Sequence, residues 1–199
     1  MITWVIFFSL MAVIFWIWLS VVWWTFKNGI SPMPTSQAVK RKIFASIPMS
    51  TQGTIYDLGS GWGTLAVPIA RAMPHCQVIG YENSPIPYLF SKLLAGWNAV
   101  TNVKFLRRDL FKMPLNDASL VVCYLFPKAM ERLVQKFNEE LKPGTIIISN
   151  TFAIPGWEPA QVYQIDDVYR TRVYVYIKSS SYLQAQDAKE PEKQQTAKC

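Results

Sequence analysis

The sequence predicts an α/β protein built on a mostly parallel sheet and preceded by one transmembrane helix. Between residues 54 and 149, short apolar runs alternate with segments of helical periodicity, which is the pattern of successive β-α units. The last two apolar runs, residues 161–165 and 172–178, are joined by a short connection and predict an antiparallel hairpin. Ahead of all these elements lies a stretch of 25 residues, Ile2–Phe26, without a single charge.

Each element of this layout has a local signal. The apolar runs predict strands at residues 54–58, 77–81, 103–107, 120–126, 145–149, 161–165 and 172–178. Helices are predicted at about residues 35–46, 64–73, 84–97 and 127–141; Ser84 is the expected cap of the third, and Pro68 is expected to bend the second. This layout of seven strands that end in a hairpin resembles the Rossmann-like sheet of the class I methyltransferases.

The N-terminal segment predicts a membrane anchor. A bilayer core about 30 Å thick needs about 20 apolar helical residues, so residues 1–26 can span it. A cleaved signal peptide is the alternative, but that would require a basic start, a shorter apolar core and small residues before the cleavage site. We therefore expect an uncleaved anchor, a basic linker and helix at 27–53, the catalytic domain at 54–178 and a disordered tail at 179–199.

The charges predict the orientation and the partners. Lys27, Lys40, Arg41 and Lys42 follow the apolar segment, and no acid precedes Asp57, so the domain is expected to face the cytoplasm. The formal net charge of +7 is interpreted as a basic flank beside anionic lipid. Nucleic acid is disfavoured as a partner, because no Lys/Arg run with interleaved aromatics occurs in the domain.

The stretch from residue 54 to 82 predicts the ligand. Asp57 follows the first apolar run and is succeeded by Gly59, Gly61 and Gly63, while Glu82 ends the next run. The glycines allow a sharp turn and close approach of the backbone to a ligand, and an acid at the end of the second strand can accept from a ribose diol. The spacing G-x-G-x-G lacks the third glycine of a pyrophosphate site, which favours S-adenosylmethionine over a dinucleotide. Asp57 would then face the cationic methionyl end of this cofactor.

The remaining reactive residues exclude several chemistries. The three cysteines have no metal-ligand spacing and cannot form a disulfide framework, so no metal is expected. The only histidine, His75, lies between the first sheet helix and the second strand, which is the wrong edge of a parallel sheet for a ligand. Histidine-based acid/base chemistry is therefore not predicted.

Over residues 34 to 159 the chain resembles the seven-β-strand lysine methyltransferases related to the mitochondrial enzymes that modify the adenine nucleotide translocase and the ATP synthase c subunit. The pieces that match are PTS at 34–36, DLGSG at 57–61, GYENSP at 80–85, DLFKMPL at 109–115, VVCYLFPKAM at 121–130 and SNTFAIPGWEP at 149–159. The chain departs from the family pattern at Trp62, where an acid is common, and at Thr64, where Arg is common. The resemblance implies cofactor contacts at Thr35, Asn83, Asp109 and Leu110, with Asp109 accepting from the adenine amino group; the alternative for Asp109 is a surface ion pair with Arg107 or Arg108.

Three aromatic residues are the candidates for the acceptor side of the site. Tyr124 and Phe126 follow the fourth strand, and Trp157 follows the fifth, near the edge where ligands of such sheets bind. An aromatic, poorly hydrated channel would lower the pKa of an incoming lysine, which must lose its proton before it can attack. Tyr124 and Phe126 could instead be core, and Trp157 could cover the sheet or touch the bilayer.

Three functions follow from these residues. The first is a membrane-anchored S-adenosylmethionine-dependent methyltransferase that modifies a lysine of a membrane-associated protein. The second is a methyltransferase of a lipid or a quinone-like small molecule, for which an anchor is equally sensible. The third is a non-catalytic nucleoside-binding scaffold, against which the intact Asp57, Gly59, Gly61 and Glu82 argue.

Overall fold

A computed structural model describes residues 2–28 and 35–179, with only the backbone described at residues 27 and 28. Residues 29–34 of the expected linker and nearly all of the tail expected at 179–199 lie outside these residues. The helices are α1 Ile2–Asn28, α2 Gln37–Ser46, α3 Ala66–Ala72, α4 Pro85–Trp97 and α5 Pro127–Glu140. The strands are β1 Gly53–Leu58, β2 Cys76–Tyr81, β3 Val103–Leu106, β4 Ala118–Cys123, β5 Ile146–Asn150, β6 Gln161–Gln164 and β7 Arg172–Ile177, and a 3₁₀ turn forms at Leu110–Lys112.

The strands form one sheet in the order β3-β2-β1-β4-β5-β7-β6. The first five strands are parallel, and β7 is antiparallel to both β5 and β6. The predicted parallel sheet with a terminal hairpin is therefore confirmed. The strand order reverses between β1 and β4, so a crevice opens beyond the carboxyl ends of these two strands.

Alternating residues along the strands pack into two hydrophobic cores, one on each face of the sheet. Ile55 of β1 and Val122 of β4 pack with residues of α2, α3 and α4 on one face of the sheet. Leu58 and Val121 pack with α5 on the other face. Because side chains of a strand alternate between faces, each strand contributes to both helix layers, and the crevice lies between those layers.

Two predicted boundaries differ from the structure in ways that affect the site. β4 ends at Cys123, and Phe126 takes the extended backbone of the cap that precedes Pro127 of α5, so residues 124–126 form a loop and not the end of a strand. α3 begins only at Ala66, which places Pro68 in its first turn. A proline there removes no helical hydrogen bond, so the expected bend has no cause.

The N-terminal helix α1 stands apart from this sheet over most of its length. Residues 2–19 are exposed, and partly buried residues begin at Ser20. The window Ile2–Phe26 is long and apolar enough to cross a membrane. The C-terminal part of α1 contacts α4, and the Trp24 ring lies 6.0 Å from the Arg107 guanidinium.

Candidate active site

A cavity of about 320 Å³ occupies the crevice at the carboxyl edge of the sheet. Its walls come from six places: the segment before α2, the turns after β1 and β2, the 3₁₀ turn after β3, the loop after β4 and the first turns of α5. The lining residues are Thr35, Asp57, Gly59, Ser60, Gly61, Trp62, Thr64, Leu65, Tyr81, Glu82, Asn83, Ser84, Arg108, Asp109, Leu110, Phe111, Tyr124, Leu125, Phe126, Ala129 and Arg132. All the predicted site residues except Gly63 and Trp157 are among them.

The glycine turn after β1 is required by both conformation and space. Gly59 has φ +77°, and a Cβ there would lie 2.8 Å from a methyl carbon of Leu125. Gly61 has φ +51° and lines the cavity. A non-glycine residue is strained at either angle, so the backbone can follow this path beside a ligand only with glycine.

Gly63 is required by close packing at the end of this turn. It has φ +75° and does not line the cavity, and a Cβ there would lie 2.8 Å from both the Ser91 Cβ and the Phe105 ring. The residue therefore permits close packing of the turn against α4 and β3. Its predicted contact with the cofactor stays a prediction.

Glu82 connects the ends of β1 and β2. Its Oε2 accepts a hydrogen bond from the Gly61 backbone N–H at 2.9 Å, and its Oε1 accepts one from the Ser84 backbone N–H at 2.7 Å. A carboxylate offers about four lone-pair positions, so both oxygens keep capacity for a ribose diol. The backbone contacts hold the carboxylate in one orientation at the cavity wall, as a ribose acceptor requires.

Asp57 is the most unusual charge in the site. It is 4% exposed, and its Oδ2 accepts no hydrogen bond from any residue that the structure describes. Desolvation, and next the nearby Glu82 carboxylate, raise the pKa of Asp57 to about 7, although a hydrogen bond from the Ala66 backbone opposes the shift. A buried, unpaired carboxylate beside a second acid fits a cationic group such as the methionyl end of S-adenosylmethionine.

The other predicted cofactor residues also lie on the cavity wall. Thr35 comes from the segment before α2, and Asn83 follows Glu82. Asp109 and Leu110 begin the 3₁₀ turn, where Asp109 Oδ1 accepts from the Phe111 backbone N–H at 3.1 Å. This cap orients Asp109 within the cavity wall. The alternative of an ion pair with Arg107 or Arg108 does not describe the local structure, in which the carboxylate caps a turn.

The aromatic candidates separate into two groups. Tyr124 and Phe126 line the cavity, in the loop between β4 and α5. Trp157 is 7% exposed and packs in the core, 6.3 Å from the rings of both Phe137 and Tyr176. It does not line the cavity, and its position agrees with the alternative that it covers the sheet: the loop turns at Gly156, with φ +74°, and the Trp157 N–H donates to the Ile154 carbonyl.

Several cavity residues were not predicted from the sequence. Ser60 and Trp62 lie within the glycine motif, and Ser60 Oγ also has no hydrogen-bond partner among the described residues. Arg108 and Arg132 add two positive charges to the wall, and the Arg132 guanidinium lies 3.6 Å from the centre of the Phe111 ring. Position in the motif could have identified Ser60 and Trp62. Arg132 lies on α5 and has no such signal.

Among residues 2–28 and 35–179, no group of three His, Cys, Asp or Glu side chains could hold a metal ion. His75 bonds to the Thr51 carbonyl, 2.9 Å away, and does not line the cavity.

A sequence model of the ANTKMT methyltransferase domain matches residues 57–161, which is more than half of the chain. The chain belongs to this family. The resemblance described from the sequence motifs is thereby confirmed, and the protein is an S-adenosylmethionine-dependent methyltransferase.

Relatives of this family member include proteins from archaea and mammals. The chain is 28% identical to a protein-lysine N-methyltransferase of Saccharolobus islandicus over 147 residues, which cover 73% of this chain and 91% of that protein. It is 33% identical to the adenine nucleotide translocase lysine N-methyltransferase of Mus musculus over 112 residues, 55% of this chain and 48% of that protein. The match to the lysine N-methyltransferase of the ATP synthase c subunit in Rattus norvegicus has 30% identity over 130 residues, with 64% and 59% covered. The chain thus spans only about half of the mammalian relatives.

The fold of this chain matches that of a solved methyltransferase structure. An RNA methyltransferase of Salinibacter ruber in complex with S-adenosyl-L-homocysteine superposes with a TM-score of 0.66 and 27% identity, covering 74% of this chain and 95% of that one. The cavity residues and the family membership therefore point to the same cofactor.

Proposed function

We propose that this methyltransferase is anchored in a membrane by α1, with its domain facing the cytoplasm, and methylates a lysine side chain of a membrane-associated protein. The observation that carries the proposal is the composition of one cavity. Asp57 and Glu82, suited to the cofactor, share it with Tyr124 and Phe126, suited to the acceptor. Relatives named for protein lysine methylation support the acceptor class.

The cofactor would be held mainly by the two acids. S-adenosylmethionine supplies an activated methyl group on a sulfonium. Glu82, fixed by the Gly61 and Ser84 N–H groups, accepts from the ribose hydroxyls. Asp57 faces the cationic methionyl end with its unpaired Oδ2, which removes the cost of burying an isolated carboxylate. Asp109 and Leu110 border the adenine.

The acceptor lysine must lose a proton before attack, which costs about 4 to 5 kcal/mol at pH 7 for an unperturbed amine. Tyr124 and Phe126 limit its hydration, and Arg108 and Arg132 place positive charge on the same wall. Both effects disfavour the ammonium form and lower the lysine pKa. Holding the neutral amine in line with the methyl group can supply roughly 7 to 11 kcal/mol of the barrier.

The anchor rests on α1. Its apolar window is exposed over residues 2–19, and the basic residues that follow favour a cytoplasmic domain. We expect the full-length protein to resist carbonate extraction from membranes, and its domain to survive protease added to intact cells. Recovery of a mature chain that starts after Phe26 would contradict the anchor.

Labelled cofactor distinguishes the possible acceptors. The full-length protein is incubated with tritiated S-adenosylmethionine and a membrane preparation, after which protein, lipid and RNA are separated and the protein is hydrolysed. We expect label in methyl-lysine, and a loss of about tenfold or more in Tyr124→Ala but not in the control Tyr169→Ala, which removes an exposed tyrosine away from the cavity.

A second candidate function is methylation of a membrane small molecule with an acidic group. The two arginines in the cavity wall, Arg108 and Arg132, favour it because they could bind such a group directly. Label in the lipid fraction with none in methyl-lysine would replace the protein acceptor with this one, and label in RNA would contradict both.

A further inference from the structure

The side of α4 that faces away from the sheet is apolar. Leu89, Phe90, Leu93 and Trp97, which we name the α4 outer face, are 55%, 46%, 63% and 92% exposed. Their spacing of three and four residues puts them on one side of the helix. The buried residues Pro87, Ser91 and Ala95 occupy the opposite side, against the sheet.

Such a helix is unusual at the surface of a domain. An amphipathic helix has polar residues opposite its core side, whereas α4 is apolar on both sides, with Lys92 as its one charged residue. With 13 residues α4 is too short to cross a bilayer. Its outer face could therefore contact lipid only if the helix lies flat on the membrane surface.

The position of α1 indicates that α4 lies close to the membrane surface. α1 contacts α4, and the partly buried residues of α1 begin at Ser20. Trp24 lies 6.0 Å from Arg107, which follows β3 next to α4. If α1 spans a bilayer, residues 20–26 lie at its surface, and α4 must then lie at the same depth as the headgroups.

Exposed cations lie beside this face. Before Asp109, the only acids of the chain are Asp57 and Glu82, and both are buried at the cavity. Lys92, Arg107 and Arg108 are exposed around α4 and the turn after β3. An apolar helix face bordered by cations is complementary to anionic lipid.

We propose that the α4 outer face lies in the headgroup region of an anionic bilayer and holds the cavity mouth at the membrane surface. Phe90 connects the two, since its ring packs edge-on against Trp62 of the cavity wall at 5.4 Å. The acceptor lysine is then one located at headgroup depth. This inference rests on the proposed anchoring by α1 and adds a second, interfacial contact.

Spin labels measure the depth of this face in the full chain. Leu89→Cys and Leu93→Cys are made with Cys199→Ser, since Cys76 and Cys123 are buried. Each is labelled and reconstituted in phosphatidylcholine vesicles with about a quarter phosphatidylserine. Glu131→Cys, exposed on α5 across the sheet, is the matched control. Collision with oxygen relative to a water-soluble nickel complex should be at least about threefold greater at 89 and 93 than at 131.

The outcomes separate this inference from the proposed function. Carbonate extraction tests the anchor, and thermal unfolding followed by circular dichroism tests the fold of each variant; neither depends on activity. A protein retained in the vesicles with water-exposed labels at 89 and 93 would overturn the α4 contact while leaving the anchor intact. Dipolar broadening between labels would assign the face to a second copy, and labels shielded from both reagents would assign it to a protein partner. Release by carbonate would overturn both ideas.

Discussion

Replacing Asp57 by Asn should make the ligand-free protein more stable at neutral and alkaline pH. Asp57 is 4% exposed, and burial together with Glu82 raises its pKa from 3.8 to about 7. A carboxyl with a raised pKa binds its proton more tightly in the folded state. Folding therefore loses stability as the pH rises from about 4 to about 7, and above pH 7 the full cost remains.

The size of this cost follows from the shift. About three pKa units at about 1.36 kcal/mol each amount to about 4 kcal/mol at pH 8, and the same relation leaves about 2 kcal/mol at pH 5.5. Asn has the shape of the protonated acid and carries no charge. Asp57→Asn should accordingly exceed the wild type by these amounts in free energy of unfolding.

Urea unfolding of the full-length protein in detergent micelles, followed by circular dichroism at both pH values, measures the difference. A variant that is less stable than the wild type at pH 8, or a difference independent of pH, would refute this account of Asp57.

The titration of Asp57 also predicts that wild-type affinity for S-adenosylmethionine falls about tenfold from pH 8 to pH 6, because the carboxylate must be ionised to face a cation. Calorimetry should find this dependence absent in Asp57→Asn.

Three further substitutions test the other side chains. Glu82→Ala should weaken S-adenosylmethionine binding by tens- to hundreds-fold and also lower the melting temperature, because two backbone N–H groups lose their acceptor; unchanged affinity in calorimetry would remove Glu82 from the ribose site. Tyr124→Ala should lower turnover while leaving cofactor affinity nearly intact, and equal loss in Tyr169→Ala would show that the effect is not specific to the cavity. Trp157→Ala should cost about 3 to 5 kcal/mol of stability, since the residue fills the core between Phe137 and Tyr176; a fully stable variant with impaired turnover would instead return Trp157 to the substrate channel.

The sequence best predicted the features that depend on residues adjacent in the chain, such as turns and the acids at strand ends. The turn at Gly59 and Gly61 and the acids Asp57 and Glu82 were identified because each follows directly from a strand end, and parallel strands carry such ends to one edge. The strand boundary at Cys123 was missed, since apolar residues continue through Phe126 although Pro127 already requires a helix start.

Contacts between distant segments could not be predicted in this way. Trp157 follows β5 closely enough to suggest the site, yet the turn at Gly156 directs it into the core against α5 and β7. Arg132 reaches the cavity wall because α5 packs across β4 and stacks its guanidinium on Phe111, which is 21 residues away in the chain. The periodicity of α5 predicts its buried side but not the element that meets its first turns.

By itself the sequence determined the fold class, the order of its elements, the cofactor and the apolar N-terminal helix, because periodicity, turn residues and the composition of Ile2–Phe26 act over a few residues each. Only the tertiary structure decided that Gly63 packs against α4, that Asp57 is buried with no partner for Oδ2 in the part of the chain that the structure describes, and that the α4 outer face adjoins the end of α1. These properties arise where segments distant in the chain exclude water from one another. Burial, and with it the pKa of Asp57, exists only once those segments have packed.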